Sequence, residues 1–230
     1  VTDEDKANAD NPLSLEQDAV DYLMGQGLIR REKIFAAGHF ATGQWTTEVT
    51  PATLWSDAAS DPFKDVSDQK RAVRELTGKE PNRFTVGRAV YDALKLHPDI
   101  IARISGSSNA ANPAMVNRNT LAALFEVEEV LVMSAIETTS GEGAATGTSA
   151  FIGGKHALLS YVPPRAGLKT VSGGLTIAWA GKDGGNALSG QNIKRLYIPQ
   201  REATLVWATL AFDMKQTAPD VGAFFLSAVA

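Results

Sequence analysis

Apolar positions recur with different periods along the chain, and each change of period marks an expected element. Residues 1–12 have no apolar period; Asp3, Glu4, Asp5 and Asp10 make the stretch polar and acidic. Too little apolar surface is available there to offset the entropy of ordering, so it reads as an arm that needs a partner. Ser14 then caps a short helix, with Gln17 at the third position after it as in a capping box. The apolar stripe is Leu15, Ala19, Tyr22 and Leu23, and Gly25 with Gly27 is expected to end it.

From Leu28 to Asp57 the helical period gives way to aromatic and β-branched residues. Ile34, Phe35, Phe40, Trp45, Val49 and Trp55 are spaced there by Gly38, Gly43 and Pro51. That pattern predicts extended, hairpin-like structure. Phe40, Trp45 and Trp55 are large apolar residues in an otherwise polar segment, and two readings compete for them. Either they fold back onto the chain's own core, or they project as anchors that pack on a neighbouring subunit.

Asp61-Pro62 is the strongest local signal. Asp is a good N-cap, and Pro suits the first helical position because its missing N–H has no partner there anyway. Phe63, Val66, Lys70, Val73 and Leu76 follow at helical spacing, with Lys70 the one polar interruption, until Gly78 and Pro81 stop the run. The opposite face, Lys64, Asp68, Arg71 and Glu75, reads as a solvated charged face.

The next stretch alternates quickly. A strand is expected over 83–86, a helix over 88–96 broken at His97-Pro98, a further turn of helix over 99–104, and a Gly/Ser/Asn/Pro-rich loop over 105–113. Residues 119–125 read as helix and lead into the apolar strand 130–135. The loop 138–149 is almost wholly small residues and is long enough to suggest mobility or a binding role. Strands are expected at 157–162 and 175–179, then after a glycine-rich loop at 193–199, 203–212 and, past the Pro219-Asp220 turn, 221–229. Successive strands without intervening helices imply an antiparallel sheet, so the class is α+β.

Composition narrows the function more than the fold. The 230 residues are 44% hydrophobic and 21% charged, which is globular and allows one domain or two small ones sharing a core. No apolar run reaches the roughly 18 residues of a membrane span, and no cationic-then-apolar leader precedes the first element. With 22 Lys plus Arg against 26 Asp plus Glu the formal charge is −4, which argues against a dedicated nucleic-acid reader. Zero cysteines exclude thiolate catalysis, iron–sulfur clusters, Cys-based zinc sites and disulfides.

Motifs for chemistry are missing too. His39, His97 and His156 have no second His or carboxylate at metal-ligand spacing. Residues 181–185, Gly-Lys-Asp-Gly-Gly, follow a strand as a phosphate loop does, but lack the Gly-Lys-Ser/Thr ending and read as a turn. Gly141-Glu142-Gly143 has no flanking nucleotide fingerprint, and no G-x-S-x-G elbow occurs. Glu128 and Glu129 are adjacent at a strand start and so point to opposite faces, which does not suit a catalytic pair. No cofactor, metal or catalytic residue is assigned, and the chain reads as a structural protein.

In this order the pieces resemble the major capsid protein of tailed bacteriophages, with its Hong Kong 97-type shell fold. The resemblance is carried by Leu-Trp-Ser-Asp-Ala-Ala-Ser-Asp over 54–61 running into Pro62-Phe63-Lys64-Asp65-Val66, and by Thr77 through Gly87. Tyr91 through Ile100, Leu121 to Val132, Gly154 through Pro163, and the closing stretch from Phe212-Asp213 to Val229 complete it.

The resemblance implies an N-terminal arm at 1–27, an extended loop over a neighbouring subunit at 28–58, and a peripheral domain at 59–79 and 181–230 whose spine helix is 62–77. Residues 80–180 become the axial domain. The implied function is self-assembly, as hexamers and pentamers, into an icosahedral phage head around double-stranded DNA. The implied location is the virion, assembled in the host cytoplasm. Phe40, Trp45 and Trp55 are then the inter-subunit contact candidates. Portal, scaffolding or decoration proteins and non-specifically held DNA are the implied partners, with no membrane. Some family members cross-link through a Lys–Asn bond, but no motif here assigns Lys33, Lys155 or Asn192 to one. An acidic wall suits a DNA container, because a basic interior would grip phosphates and hinder packaging and ejection. Two alternatives stand beside this reading: an encapsulin-like nanocompartment shell, and a soluble α+β enzyme with a site around the 138–149 loop.

Overall fold

In the computed structural model, which describes residues 1–9, 14–105, 116–167, 169–179 and 191–230, the helix expected after Asp61 forms as α3, Pro62–Thr77. Asp61 Oδ1 accepts from the Lys64 N–H at 3.0 Å, and Gly78 ends the helix in the left-handed region at φ 67°, where a side chain is disfavoured. Of its stripe, Val66, Lys70 and Val73 are buried, whereas Leu76 in the last turn is exposed.

The chain divides into two compact units. One comprises residues 32–175 with 216–230, the other 1–31 with 176–215. The first is built on a five-stranded mixed sheet. Its strands are β1 (Thr47–Val49), β2 (Arg83–Gly87), β3 (Glu129–Met133), β6 (Ala157–Ser160) and β11 (Gly222–Phe225), in spatial order β1-β11-β6-β2-β3. Parallel β2 and β3 need a long crossover. It is supplied by α4 (Arg88–Leu96), α5 (Pro98–Ser105) and α6 (Arg118–Leu124). The loop expected over 105–113 lies outside the described residues from 106 onward. β6 runs antiparallel to β2 and β11, and β1 joins β11 in parallel.

Register sorts the apolar residues onto two faces with the strand period of two. The rows Ala223–Leu159–Phe84–Val130 and Phe225–Ala157–Val86–Val132 point to one face. There they form the larger core with Trp55, Val66 and Val73 of α3, Val90 and Leu94 of α4, Ile100 of α5 and Leu121 of α6. The row between them, Phe224–Leu158–Thr85, points to the other face, where Phe224 and Leu158 pack with Phe40, Trp45 and Met133. With both faces covered, β6 and β11 are buried at every residue, which is why their sequences read as continuous apolar runs. Gly222 is required here, since a Cβ would stand 2.3 Å from Trp45 Cζ3. A small hairpin, β4 (Ile136–Thr138) with β5 (Ser149–Phe151), carries the loop 139–148.

Expectations for the first sixty residues fail at several points. Gly25 and Gly27 do not end a helix: α2 runs Leu15–His39 through both, so the extended structure expected from residue 28 begins only after His39. Helical Gly costs about 1 kcal/mol each relative to Ala, and α2 continues through both. A Cβ at Gly27 would meet Leu210 Cδ1 at 2.8 Å, so Leu210 packs over the glycine and would have to shift for a larger residue. The hairpin expected over 28–58 reduces to β1, paired with a strand from the far end of the chain.

Residues 1–9 of the acidic arm are ordered as well. Thr2 caps α1 (Asp3–Asn8) in a reciprocal box with Asp5, and Thr2 bridges Ala203. It docks in its own unit on the ribbon of β8 (Gln191–Ile198) and β9 (Ala203–Leu210), which pair over eight residues. Lys6 Nζ donates to Thr204 Oγ1 at 2.8 Å and pairs with Glu16 at 2.6 Å, while Tyr197 OH donates to Asp3 Oδ2 at 2.7 Å. Capping and local ion pairs, not apolar burial, order this segment, and an apolar-area argument misses them. β7 (Gly174–Ala178) and β10 (Phe212–Gln216), the latter not expected as a separate strand, pair as a further two-stranded sheet. So the closing strands form ribbons, and β11 leaves them to enter the central sheet.

Candidate functional site

Chemically capable side chains are the first place to look for a site, and the buried ones among those described are tied into structure. Lys70 is buried, and its Nζ donates to the carbonyls of Phe125 (3.0 Å) and Glu126 (2.9 Å) and pairs with Glu80 at 3.1 Å. Those carbonyls lie just past the end of α6, where no intrahelical N–H reaches and a cation complements the helix dipole. The polar interruption in the α3 stripe is therefore the cap of another helix. It holds the turn at Glu126, which sits at φ 53° before β3.

Ser60 and His97 superficially resemble a nucleophile and its base. Ser60 Oγ donates to the Asp57 carbonyl at 2.7 Å, and His97 Nε2 lies 3.0 Å from that Oγ and 3.1 Å from the same carbonyl. A hydroxyl has one proton; with it committed to Asp57, Nε2–H is the donor to both oxygens. Activation of serine needs the reverse, an Nε2 lone pair accepting the hydroxyl proton. Both side chains are buried, and together they pin the 57–60 turn to the end of α4.

His39 closes α2. Its carbonyl accepts from Trp45 Nε1 at 2.8 Å, its ring stacks on Phe35 at 4.9 Å, and burial pushes the imidazole below the usual histidine range. His156 Nδ1 accepts from the Ser227 N–H at 3.1 Å beside the Phe224 ring, and burial lowers it in the same way. Among the described residues no three His, Asp or Glu side chains converge on a metal position. Glu128 accepts from Asn82 Nδ2 at 3.1 Å, and Glu129 pairs with Arg83 at 3.3 Å across the β2–β3 register. Gly141 to Gly143 lie in the exposed 139–148 loop. The glycine cluster at 181–185 lies outside the described residues.

The three aromatic contact candidates are placed by the structure inside the chain's own core, the first of the two readings given above. Phe40 is 6% exposed, Trp45 4% and Trp55 0%. Trp55 packs on Phe84 and Phe225, and its Nε1 donates to Asp65 Oδ2 at 2.9 Å. Phe40 meets the edge of Phe224. The segment around them is irregular and polar because its three large side chains seal both faces of a sheet assembled from distant strands.

Surface able to meet another molecule lies elsewhere. On one face of the ribbon Leu196 stands directly opposite Leu205, 53% and 48% exposed, with Ile198 and Trp207 half-buried beside them. At the base of the β4–β5 hairpin Ile136 opposes Phe151, both exposed. Leu96, at the end of α4, is exposed too. Sequence reading singled out none of these. The available signal was apolar residues on both parities of 193–198, meaning a strand with two faces to cover.

Comparison with known proteins points the same way. Residues 40–160, just over half of the chain, match the family model of phage major capsid protein E. The chain is similar to the major capsid protein of Burkholderia phage BcepMu, 29% identical over 167 residues, covering 70% of this chain and 51% of that protein. It therefore spans about half the length of that relative. A phage-related protein from Bordetella bronchiseptica RB50 has a similar fold, with TM-score 0.76 at 21% identity over 96% of this chain and 70% of its own. The capsid of cyanophage P-SCSP1u also has a similar fold, with TM-score 0.53 at 12% identity over 100% and 70%.

Proposed function

The chain belongs to the phage major capsid protein E family, and from that premise we propose that it is the shell subunit of a phage head, assembling in many copies around double-stranded DNA. The observation that carries the reading is the family match itself. Residues 40–160 contain four of the five central strands, α3 to α6 and the buried Phe40, Trp45 and Trp55. The role is architectural. The subunit's partner is itself, in hexamers and pentamers, with portal, scaffolding or decoration proteins at the margins, and it resides in the virion.

In this reading the α+β fold is of the Hong Kong 97 type, and the domain boundaries move. The spine helix becomes α2, at 25 residues the longer candidate against 16 for α3. Residues 32–175 with 216–230 stand for the axial domain, and 1–31 with 176–215 for the peripheral one. Support comes from β11, which pairs with β6 and so belongs with the axial strands. Exposed apolar pairs such as Leu196–Leu205 supply the surface that neighbours bury. Each contact need only be modest, because closed symmetry repeats it.

Negative-stain microscopy of the purified protein, with sedimentation velocity, tests the proposal. Closed shells or capsomer rings are expected. A well-behaved monomer at high concentration overturns it, and shells that enclose protein and no nucleic acid would favour a nanocompartment instead.

A further inference from the structure

One concavity in the unit of residues 32–175 and 216–230 stands apart by its charge. A groove of about 510 Å3 is lined by Lys79, Tyr161, Pro163, Pro164, Arg165 and Lys169, with no Asp or Glu in its wall. Lys79 follows the Gly78 cap of α3, and its Nζ stands 5.9 Å over the Tyr161 ring. Tyr161 continues from β6, and the two prolines restrict the backbone that leads to Arg165. Lys169 is presented by a turn in which the Gly167 N–H donates to Thr170 Oγ1 at 2.8 Å.

None of the three cations is ion-paired among the described residues. Arg71, Arg74, Arg83, Arg88 and Arg103 of the same unit all are. In a chain of net charge −4, three uncompensated cations on one wall run against the average. The composition also discriminates between occupants. Protein-docking surfaces have apolar, desolvated centres from which Lys is depleted, whereas here two Lys and one Arg share the wall with Tyr161, two prolines and the exposed Val171. Phosphate oxygens take bonds from Lys and Arg without sequence preference, and an aromatic face accepts a base or sugar.

We infer that this groove binds the phosphodiester backbone of nucleic acid, without sequence specificity. The inference rests on the proposed reading of the chain as a DNA container, and it refines the acidic-wall argument. Contact with DNA is confined to a few cations per subunit. Three phosphate contacts give a salt dependence of about −2.7 in log K against log salt, weak enough for DNA to slide.

The test is fluorescence anisotropy of a labelled duplex oligonucleotide titrated with the purified chain across a salt series. Lys79→Glu/Arg165→Glu/Lys169→Glu should weaken binding more than tenfold and flatten the salt slope. Each single Glu variant should reduce the slope by about 1. A control triple, Lys64→Glu/Lys95→Glu/Lys155→Glu, carries the same change of net charge outside the groove and should bind as the parent does. Equal weakening by both triples, or competition by polyglutamate as strong as by unlabelled duplex, overturns the inference. Circular dichroism of each variant separates loss of binding from loss of fold. Shell formation is scored separately by microscopy: shells with no groove-dependent DNA binding sink this inference alone, whereas groove-dependent binding by a protein that never assembles sinks the container reading.

Discussion

The central five-stranded sheet and the β8–β9 ribbon are finished differently. In the sheet, β6 and β11 are buried at every residue, and each face is sealed by helices or by aromatic side chains from the 40–55 segment. In the ribbon, α1 reaches Thr204 and Tyr197 on one face, while the opposite face leaves Leu196 and Leu205 in solvent. An isolated two-stranded ribbon is marginal in water, whereas a sheet covered on both sides supplies its own stability. One region is complete within a single chain. The other leaves apolar surface in solvent.

The contrast breaks most severely at Trp55. Trp55→Ala removes a fully buried indole from between Phe84 and Phe225 and strands the Asp65 carboxylate. A loss of about 3–5 kcal/mol is expected, read as a lower denaturation midpoint with an unchanged slope. Lys70→Met comes next. It keeps the apolar stem but leaves the Phe125 and Glu126 carbonyls without their donor, at a cost of about 1–3 kcal/mol measured in the same way. Lys70→Arg should recover part of that loss, because it restores a cation.

pH gives a smaller effect. His39 and His156 are held below the ordinary histidine range by burial. The unfolded chain therefore binds more protons than the folded one as pH falls through about 6.5. Stability is fully present above that value and declines below it. A melting-temperature series from pH 8 to 5 should show this decline, and His39→Gln/His156→Gln should flatten it. The smallest effect belongs to the ribbon. Leu196→Ser/Leu205→Ser should change the stability of the unassembled chain by no more than about 0.5 kcal/mol per site, while reducing self-association in sedimentation. If the double variant unfolds the chain instead, the ribbon face is covered within the chain just as the sheet is.

Local signals were legible wherever a short stretch of sequence specifies its own structure. The cap at Asp61-Pro62, the stop at Gly78, the break at His97-Pro98 and the strands 83–87 and 157–160 lie close to where the residues place them. Capping and period are interactions between residues a few positions apart, so sequence alone can state them. The α+β class and the shell-protein resemblance follow from the order of such pieces.

What sequence could not state are the relations between distant residues. Leu210 packs against Gly27 within α2, and Lys70 is buried because α6 ends beside it. Trp45 and Trp55 are core residues because Gly222 and Phe225, some 170 positions later, complete the sheet beneath them. The groove of Lys79, Arg165 and Lys169 likewise exists only once α3 and the turn after β6 are side by side. Hydrophobicity says that a side chain must leave water but not which surface will receive it. For this chain the choice between its own core and a neighbour's was made by the tertiary packing.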